Sequence, residues 1–117
     1  MTGGEAMVRA AAANGTDTIF GLPGAQIYPL FDAIYRHPDI REVISRHEQG
    51  AGYMAYGYAK ATGRPGVFSV VPGPGILNAG AALCTADGCN QPVVCLTGQV
   101  MSEFLGKGRG HLHELRD

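Results

Sequence analysis

The chain has 117 residues, a length that suits one domain with a single hydrophobic core. Its formal net charge is −1 and its pI is about 6.4, so no basic surface for nucleic acid or for an anionic membrane is indicated. Hydrophobic residues make up 45% of the chain, but no run approaches the roughly 20 apolar residues of a membrane span. Since no signal peptide is recognisable, we expect a cytoplasmic protein.

The first half of the chain alternates between predicted helices and strands. Thr2 and Glu5 have the spacing of a capping box, which predicts a helix over about 3–13 that ends before Gly15. The elements that follow are a strand at 18–20, a helix that ends near residue 35, a buried strand at 43–44 and a helix at 49–62. Helices and strands therefore follow one another closely in this half.

The second half continues the same alternation. The predicted elements are a strand at 67–71, a Gly-Pro turn at 72–75, a helix over about 76–85, a strand at 93–97 and a loop from residue 98 onward. Strands that alternate with crossover helices are typical of an α/β fold, here a parallel, flavodoxin-like sheet with helices on both faces. We expect residues 1–117 to form one domain that is a fragment of a longer chain.

Two of the predicted helices carry almost no charge. The stretch 51–61 contains only Lys60, and the stretch 78–87 contains only Asp87. A helix that is uncharged on nearly all sides is expected to be buried on nearly all sides. We therefore expect a second copy or a second domain to cover the region of Tyr53, Met54, Ala55 and Leu83. The alternative is that these are merely exposed helices rich in alanine and glycine.

Glu48 is the leading candidate for a functional acid. It directly follows the strand at 43–44 and opens the next helix. The carboxyl ends of strands are where open α/β sheets bind ligands. An acid beside an uncharged helix at that position indicates a functional role. The alternative is a capping acid stabilised by the helix dipole.

Three further groups of residues could have chemical roles. Gly73, Pro74 and Gly75 open a helix after a strand, which places Asn78 one turn into that helix, within reach of a ligand. His111 and His113 have a His-x-His spacing that can bind a metal, but no third ligand is evident nearby. The three cysteines lack a C-x-x-C pair, so we expect buried free thiols and neither a disulfide framework nor a zinc site.

Five motifs, taken in order, resemble one known family. They are Gly21-Leu22-Pro23-Gly24, Arg46-His47-Glu48-Gln49-Gly50-Ala51, Gly57-Tyr58-Ala59, Gly73-Pro74-Gly75 with Asn78, and Thr97-Gly98-Gln99-Val100. Their order and spacing resemble the N-terminal pyrimidine-binding domain of thiamine-diphosphate enzymes, especially the large subunits of acetolactate synthases. The resemblance extends from about Thr2 to Gln99.

The resemblance implies a role for each matching residue. Glu48 would hydrogen-bond the ring nitrogen of the aminopyrimidine, and Pro23, Gly24, Pro74 and Asn78 would line that ring. The diphosphate and Mg²⁺ would be bound by a separate C-terminal domain that this chain lacks. The implied reaction is decarboxylation of a 2-keto acid such as pyruvate, followed by attack on an acceptor, in a homodimer or tetramer.

The region near residue 111 departs from the acetolactate synthase pattern. The Phe-Gln pair of that family aligns with Gly110-His111 or, with a shift of two residues, with Leu112-His113. Histidines in this region resemble the 2-keto acid decarboxylases, so we include His111 and His113 among the expected cofactor-binding residues. The keto acid, the acceptor and the presence of FAD stay open. A non-catalytic binding or assembly module of the same fold is the alternative from a different class.

Overall fold

The computed structural model describes residues 1–115. Its elements are α1 (Gly3–Ala13), β1 (Thr18–Gly21), α2 (Tyr28–Arg36), β2 (Arg41–Ile44), α3 (Glu48–Thr62), β3 (Gly66–Val70), α4 (Pro74–Gly88) and β4 (Val93–Thr97). Every predicted element is present, and residues 98–115 form turns and irregular structure as expected. None of the helices between residues 1 and 115 has the length and apolar character that crossing a bilayer requires.

The four strands form one parallel sheet in the order β2-β1-β3-β4. The connection from β1 to β2 runs in one direction along the sheet, and the next two connections run in the other. Because such crossovers are right-handed, α2 lies on one face of the sheet and α3 and α4 lie on the other. The predicted α/β fold with helices on both faces is confirmed, and the strand order matches the first four strands of flavodoxin-like sheets.

A hydrophobic core fills the space on each face of the sheet. The core under α1 and α2 consists of Val8, Ile19, Leu30, Ala33, Ile34, Ile40 and Val67. The core under α3 and α4 consists of Phe20, Ala51, Ala55, Phe68, Val70 and Ala79. Both faces of the central strands are therefore buried, as a parallel sheet requires.

The strand predicted at residues 43–44 is present in β2, but the prediction that it is buried is wrong. β2 is an edge strand, and Ile44 remains 49% exposed. An edge strand has a neighbour on one side only, so a short apolar run there need not be buried. The sequence alone does not distinguish an edge strand of this kind from a central one.

β4 is the other edge of the sheet, and its face toward α1 is partly uncovered. Val94 is 45% exposed. Together with Leu96 it lines an apolar groove of about 340 Å³, whose other side includes Met7 and Ala10 of α1. The two edges differ in charge, since β2 contains Arg41 and Glu42 whereas β4 has no charged residue.

α3 and α4 pack closely against each other on one face of the sheet. A Cβ atom added to Gly52 would lie 2.6 Å from the Cβ atom of Ala82, which is far closer than ordinary contact. The absence of a side chain at Gly52 therefore lets the two helices approach. α3 and α4 contain the uncharged stretches that were predicted to be covered by a second copy or domain. Much of that uncharged surface is instead covered by the contact between these two helices.

The residues expected at a contact with another copy have different surroundings. Ala55 is fully buried in the core of the domain, and Met54 and Leu83 pack against the same core. Tyr53 alone of the four remains exposed, at 38%. The expectation that Ala55 lies at an intersubunit contact is wrong, because the sheet and α4 already cover it.

The cysteines also differ from expectation. All three are free, but Cys84 and Cys89 are exposed rather than buried. Cys95 is half-buried in β4, and this burial raises the pKa of its thiol to about 11.

Replacing Gly52 with alanine tests the close helix contact, and replacing Gly57 with alanine is the matched control. Alanine in place of a helical glycine usually gains up to about 1 kcal/mol. At Gly57 the new methyl group meets nothing within 4 Å, so we expect that gain. At Gly52 it meets Ala82 and separates the helices, so we expect a net loss of about 1–3 kcal/mol. Urea denaturation measures both, and equal stability of the two variants would contradict the close approach.

Candidate functional site

The turn from β2 to α3 is fixed to the end of β1 by Ser45. The backbone N–H of Ser45 donates to the carbonyl of Gly21 at 2.8 Å. Its Oγ lies 2.9 Å from the carbonyl of His47 and 3.2 Å from that of Gly21. Ser45 is buried, and both of these partners are carbonyl oxygens, so its single hydroxyl proton is donated to one of them at a time. These bonds determine where α3 begins.

His47 caps the N-terminus of α3. Its Nδ1 accepts a hydrogen bond from the backbone N–H of Gln49 at 3.1 Å. An acceptor Nδ1 carries no proton, so the ring proton is on Nε2 and the imidazole is neutral in this arrangement. The 4.0 Å approach of Nδ1 to Oε2 of Glu48 is therefore not an ion pair.

Glu48 is the first residue of α3, and its side chain is only 14% exposed. The side-chain amide of Asn78 in α4 donates to Oε2 of Glu48 at 3.0 Å. His47 supplies the side-chain cap of the helix, so the Glu48 carboxylate is not needed for that task. Within residues 1–115, the contacts of the carboxylate all use Oε2, which leaves Oε1 for a ligand.

The packing of α3 against α4 explains why Glu48 and Asn78 meet. Both helices start at the carboxyl ends of parallel strands, so they run in the same direction. Glu48 precedes Gly52 by one helical turn, and Asn78 precedes Ala82 by one helical turn. The contact between Gly52 and Ala82 therefore aligns the carboxylate with the amide.

The loops after β1 and β3 meet at Val71. A Cβ atom on Gly24 would lie 2.5 Å from one methyl of Val71, and a Cβ atom on Gly75 would lie 2.7 Å from the other. The chain leaves β1 and β3 toward opposite faces of the sheet, and such a switch point is where open sheets bind ligands. Pro23 and Pro74, which directly precede Gly24 and Gly75 in the sequence, are both exposed.

His113 lies at the same switch point. Its Nδ1 is 2.6 Å from Oε1 of Gln26, and Nε2 of Gln26 donates to the carbonyl of Leu112 at 2.9 Å. A Cβ atom on Gly73 would lie 2.4 Å from the carbonyl oxygen of His113. The segment 112–113 therefore packs across the loops after β1 and β3.

His111 has a different environment. Its ring stacks on Phe104 with the ring centroids 4.6 Å apart. Within residues 1–115 neither His111 nor His113 forms a hydrogen bond with Glu48 or Asn78. In that part of the chain no three side chains of histidine, cysteine, aspartate or glutamate are gathered as a metal site would need.

The structure adds three residues that sequence reasoning did not select. Ser45 and His47 position the start of α3, and Gln26 contacts His113 across the switch point. The preferred residues before a helix are Ser, Thr, Asp, Asn and Gly, so the capping role of His47 had no clear signal in the sequence. The partners of Gln26 lie 86 and 87 residues away in sequence, and no local pattern indicates them.

A family model described as "Thiamine pyrophosphate enzyme, N-terminal TPP binding domain" matches residues 1–117. The chain belongs to this family. The resemblance seen in its five motifs is therefore confirmed. Because this family binds thiamine diphosphate, the turns at the carboxyl edge of the sheet belong to a TPP-binding domain.

Curated relatives of this TPP-binding domain are named either as a 2-ketoarginine decarboxylase or as acetolactate synthases. A probable 2-ketoarginine decarboxylase of Pseudomonas aeruginosa is 44% identical over 117 residues, which are 100% of this chain and 21% of the relative. The acetolactate synthase large subunit of Corynebacterium glutamicum is 43% identical over 106 residues, 91% of this chain and 17% of the relative. The large subunit of Escherichia coli acetolactate synthase isozyme 2 is 43% identical over 106 residues, 91% and 19% respectively. The chain spans about a fifth of the length of these relatives.

Replacing Asn78 with aspartate tests the contact with Glu48. Two carboxylates this close cannot both ionise without repulsion, so the folded variant binds a shared proton more tightly than the unfolded chain. Its stability should therefore be highest at low pH and fall as pH rises. We expect a deficit of about 1–3 kcal/mol relative to wild type near pH 8 that shrinks near pH 4.

Melting temperatures across this pH range measure the effect. Replacing Asn90 with aspartate is the control, since it makes the same substitution at an exposed position just beyond α4. The control variant should show a much smaller dependence on pH. The same pH profile for both variants would refute the contact.

Proposed function

We propose that the chain is the pyrimidine-binding part of a thiamine-diphosphate-dependent enzyme that acts on 2-keto acids, as a carboligase or a decarboxylase. The family match supplies the cofactor, and the relatives are named as a 2-ketoarginine decarboxylase and as acetolactate synthases. The observation that carries the proposal is the nearly buried Glu48 carboxylate, held at one oxygen by Asn78. A pure assembly module would not need an acid in this position.

The residues present fit an aminopyrimidine ring. Such a ring offers a nitrogen that can share a proton with a carboxyl group, and Oε1 of Glu48 has no partner within residues 1–115. Thiamine diphosphate, when bound, supplies carbanion stabilisation for bond cleavage beside a ketone carbonyl. Glu48 would hold the shared proton at the ring nitrogen, and Asn78 would keep the carboxyl group in place.

The loop residues would provide the walls of the ring site. Pro23 and Gly24 come from the loop after β1, and Pro74 opens α4 beside Asn78. Their surfaces are apolar and rigid, which suits contact with a flat ring. His111 and His113 would lie toward the cofactor or the substrate, and His113 is the one that contacts the switch point.

We infer that this chain supplies only half of the active site. The matching family is described as an N-terminal TPP binding domain, and the chain spans 17 to 21% of the length of the curated relatives named above. We place the diphosphate and Mg²⁺ in a separate domain. FAD is a further candidate cofactor, and the absorbance spectrum of the intact enzyme decides its presence.

We also propose that the intact enzyme is a homodimer or a tetramer. Tyr53 on α3 and Leu77, Ala81 and Cys84 on α4 are exposed and uncharged. Exposed uncharged residues at helical spacing are typical of a face that another protein surface covers.

A 2-keto acid such as pyruvate is the proposed substrate, and a cytoplasmic location stays a prediction.

Replacing Glu48 with glutamine in the intact enzyme tests its role directly. Glutamine keeps the size of the side chain but cannot exchange a proton, and loss of one acid–base group typically costs about 10²–10⁴ in rate. We expect a loss of that size in the decarboxylation of the 2-keto acid, with an unchanged melting temperature. Near-wild-type turnover in a correctly folded variant would eliminate the assignment.

Calorimetric titration of the 117-residue chain with thiamine diphosphate tests the division of the site. Because the chain is proposed to contact only the pyrimidine ring, we expect weak binding that Mg²⁺ does not change. The Glu48→Gln variant is the control and should bind more weakly still. Tight binding that depends on Mg²⁺ would show that residues 1–117 hold the diphosphate as well.

A further inference from the structure

Gln26 and His113 form a polar pair at the switch point, apart from the contact of Glu48 with Asn78. Both have a φ of 68°, in the left-handed region that few residues other than glycine adopt. They also hydrogen-bond to each other, although 87 residues separate them in sequence. Backbone strain persists only where the surroundings determine it, and it is frequent at functional sites.

The backbone of Gln26 is held from the side of β4. A Cβ atom on Gly98, directly after β4, would lie 2.3 Å from the carbonyl oxygen of Gln26. The carbonyl of His113 is held in the same way by Gly73, which itself has a φ of 64°. The loops after β1, β3 and β4 therefore fix both members of the pair. No side chain fits at Gly98 or Gly73, where these contacts occur.

The chemistry of the pair determines which atoms carry protons. A backbone carbonyl only accepts hydrogen bonds, so the group of Gln26 that faces the carbonyl of Leu112 at 2.9 Å must be the NH₂ group. Oε1 of Gln26 therefore faces Nδ1 of His113 at 2.6 Å. An amide oxygen also only accepts, so Nδ1 of His113 must be the protonated nitrogen.

We propose that Gln26 is a positioning residue that holds His113 as the Nδ1–H tautomer. The free nitrogen of the neutral ring is then Nε2, which can accept a hydrogen bond or a proton from a bound ligand. This inference rests on the proposed function, in which His113 lies toward the cofactor or the substrate. The tautomer of a histidine is commonly set by the hydrogen bond of its other nitrogen.

Histidine-selective ¹⁵N labelling of the protein provides the test, because the two tautomers have distinct ¹⁵N shifts. At about pH 8 an ordinary histidine is neutral. We expect His113 to show a protonated Nδ1, and its signals are assigned by their loss in His113→Gln. His47 is an internal control of the opposite kind, because its Nδ1 accepts from Gln49 and its proton must be on Nε2.

Two variants of Gln26 separate tautomer control from simple anchoring of the loop. Gln26→Glu keeps an oxygen that accepts from Nδ1 but loses the donor to the carbonyl of Leu112. Gln26→Met has similar length and loses both bonds. We expect Gln26→Glu to keep the Nδ1–H signal of His113 and Gln26→Met to lose it, while the His47 signals stay unchanged in both.

Three outcomes would overturn the proposal. A wild-type His113 protonated at Nε2 would do so without any Gln26 variant, even if Gln26→Met failed to fold. An unchanged His113 signal in Gln26→Met would show that another group sets the tautomer. Loss of the signal in both variants would reduce Gln26 to a loop anchor. None of these readings depends on Glu48, so the proposed function is tested separately.

Discussion

The contact between Gly52 and Ala82 determines the geometry of the candidate site. Because Gly52 has no side chain, α3 and α4 approach closely enough for Glu48 to accept a hydrogen bond from Asn78. Tyr53 follows Gly52 directly in α3, and its hydroxyl lies 3.1 Å from that of Thr85, about one turn beyond Ala82 in α4. A larger residue at the crossing would separate all of these partners together. The position of Glu48 is thus determined by the apolar contact between Gly52 and Ala82, one helical turn further along each helix.

The parallel sheet brings a second polar pair to the same edge. All turns from strand to helix emerge at the carboxyl ends of the strands, and the switch point lies between β1 and β3. Gly73 at the start of α4 contacts His113, and Asn78 in the same helix contacts Glu48. Five residues along a helix correspond to a rise of roughly 7.5 Å. The first two turns of α4 therefore connect the carboxylate with the histidine.

Local patterns in the sequence predicted the elements well, because each has a local physical cause. The capping box of Thr2 and Glu5 is present as predicted, and α1 ends at Ala13. Glu48 and Asn78 were selected because each lies within the first turns of a helix that follows a strand, and the structure brings these two together. Their roles toward the cofactor stay proposals.

Features that depend on distant residues were not predicted. The exposure of Ile44 depends on the strand order, and the burial of Ala55 depends on the close approach of β3 to α3. A Cβ atom on Gly66 at the start of β3 would lie only 1.9 Å from the carbonyl oxygen of Ala55. The pairing of Gln26 with His113 needs two positive φ angles and a long separation in sequence. None of these has a local signature.

The uncharged edge at β4 has a consequence for the behaviour of the chain in solution. Within residues 1–115 no strand pairs with its outer side, and its residues Val93–Thr97 are mostly β-branched or apolar. Charged residues usually protect such an edge, as Arg41 and Glu42 do at β2. An uncharged edge of this kind is a template to which another extended polypeptide can add as a further strand. A molecular mass above that of one chain can therefore arise from strand addition at β4 or from contacts between exposed helices. Strand addition raises the β-sheet content, whereas helix contacts leave it unchanged.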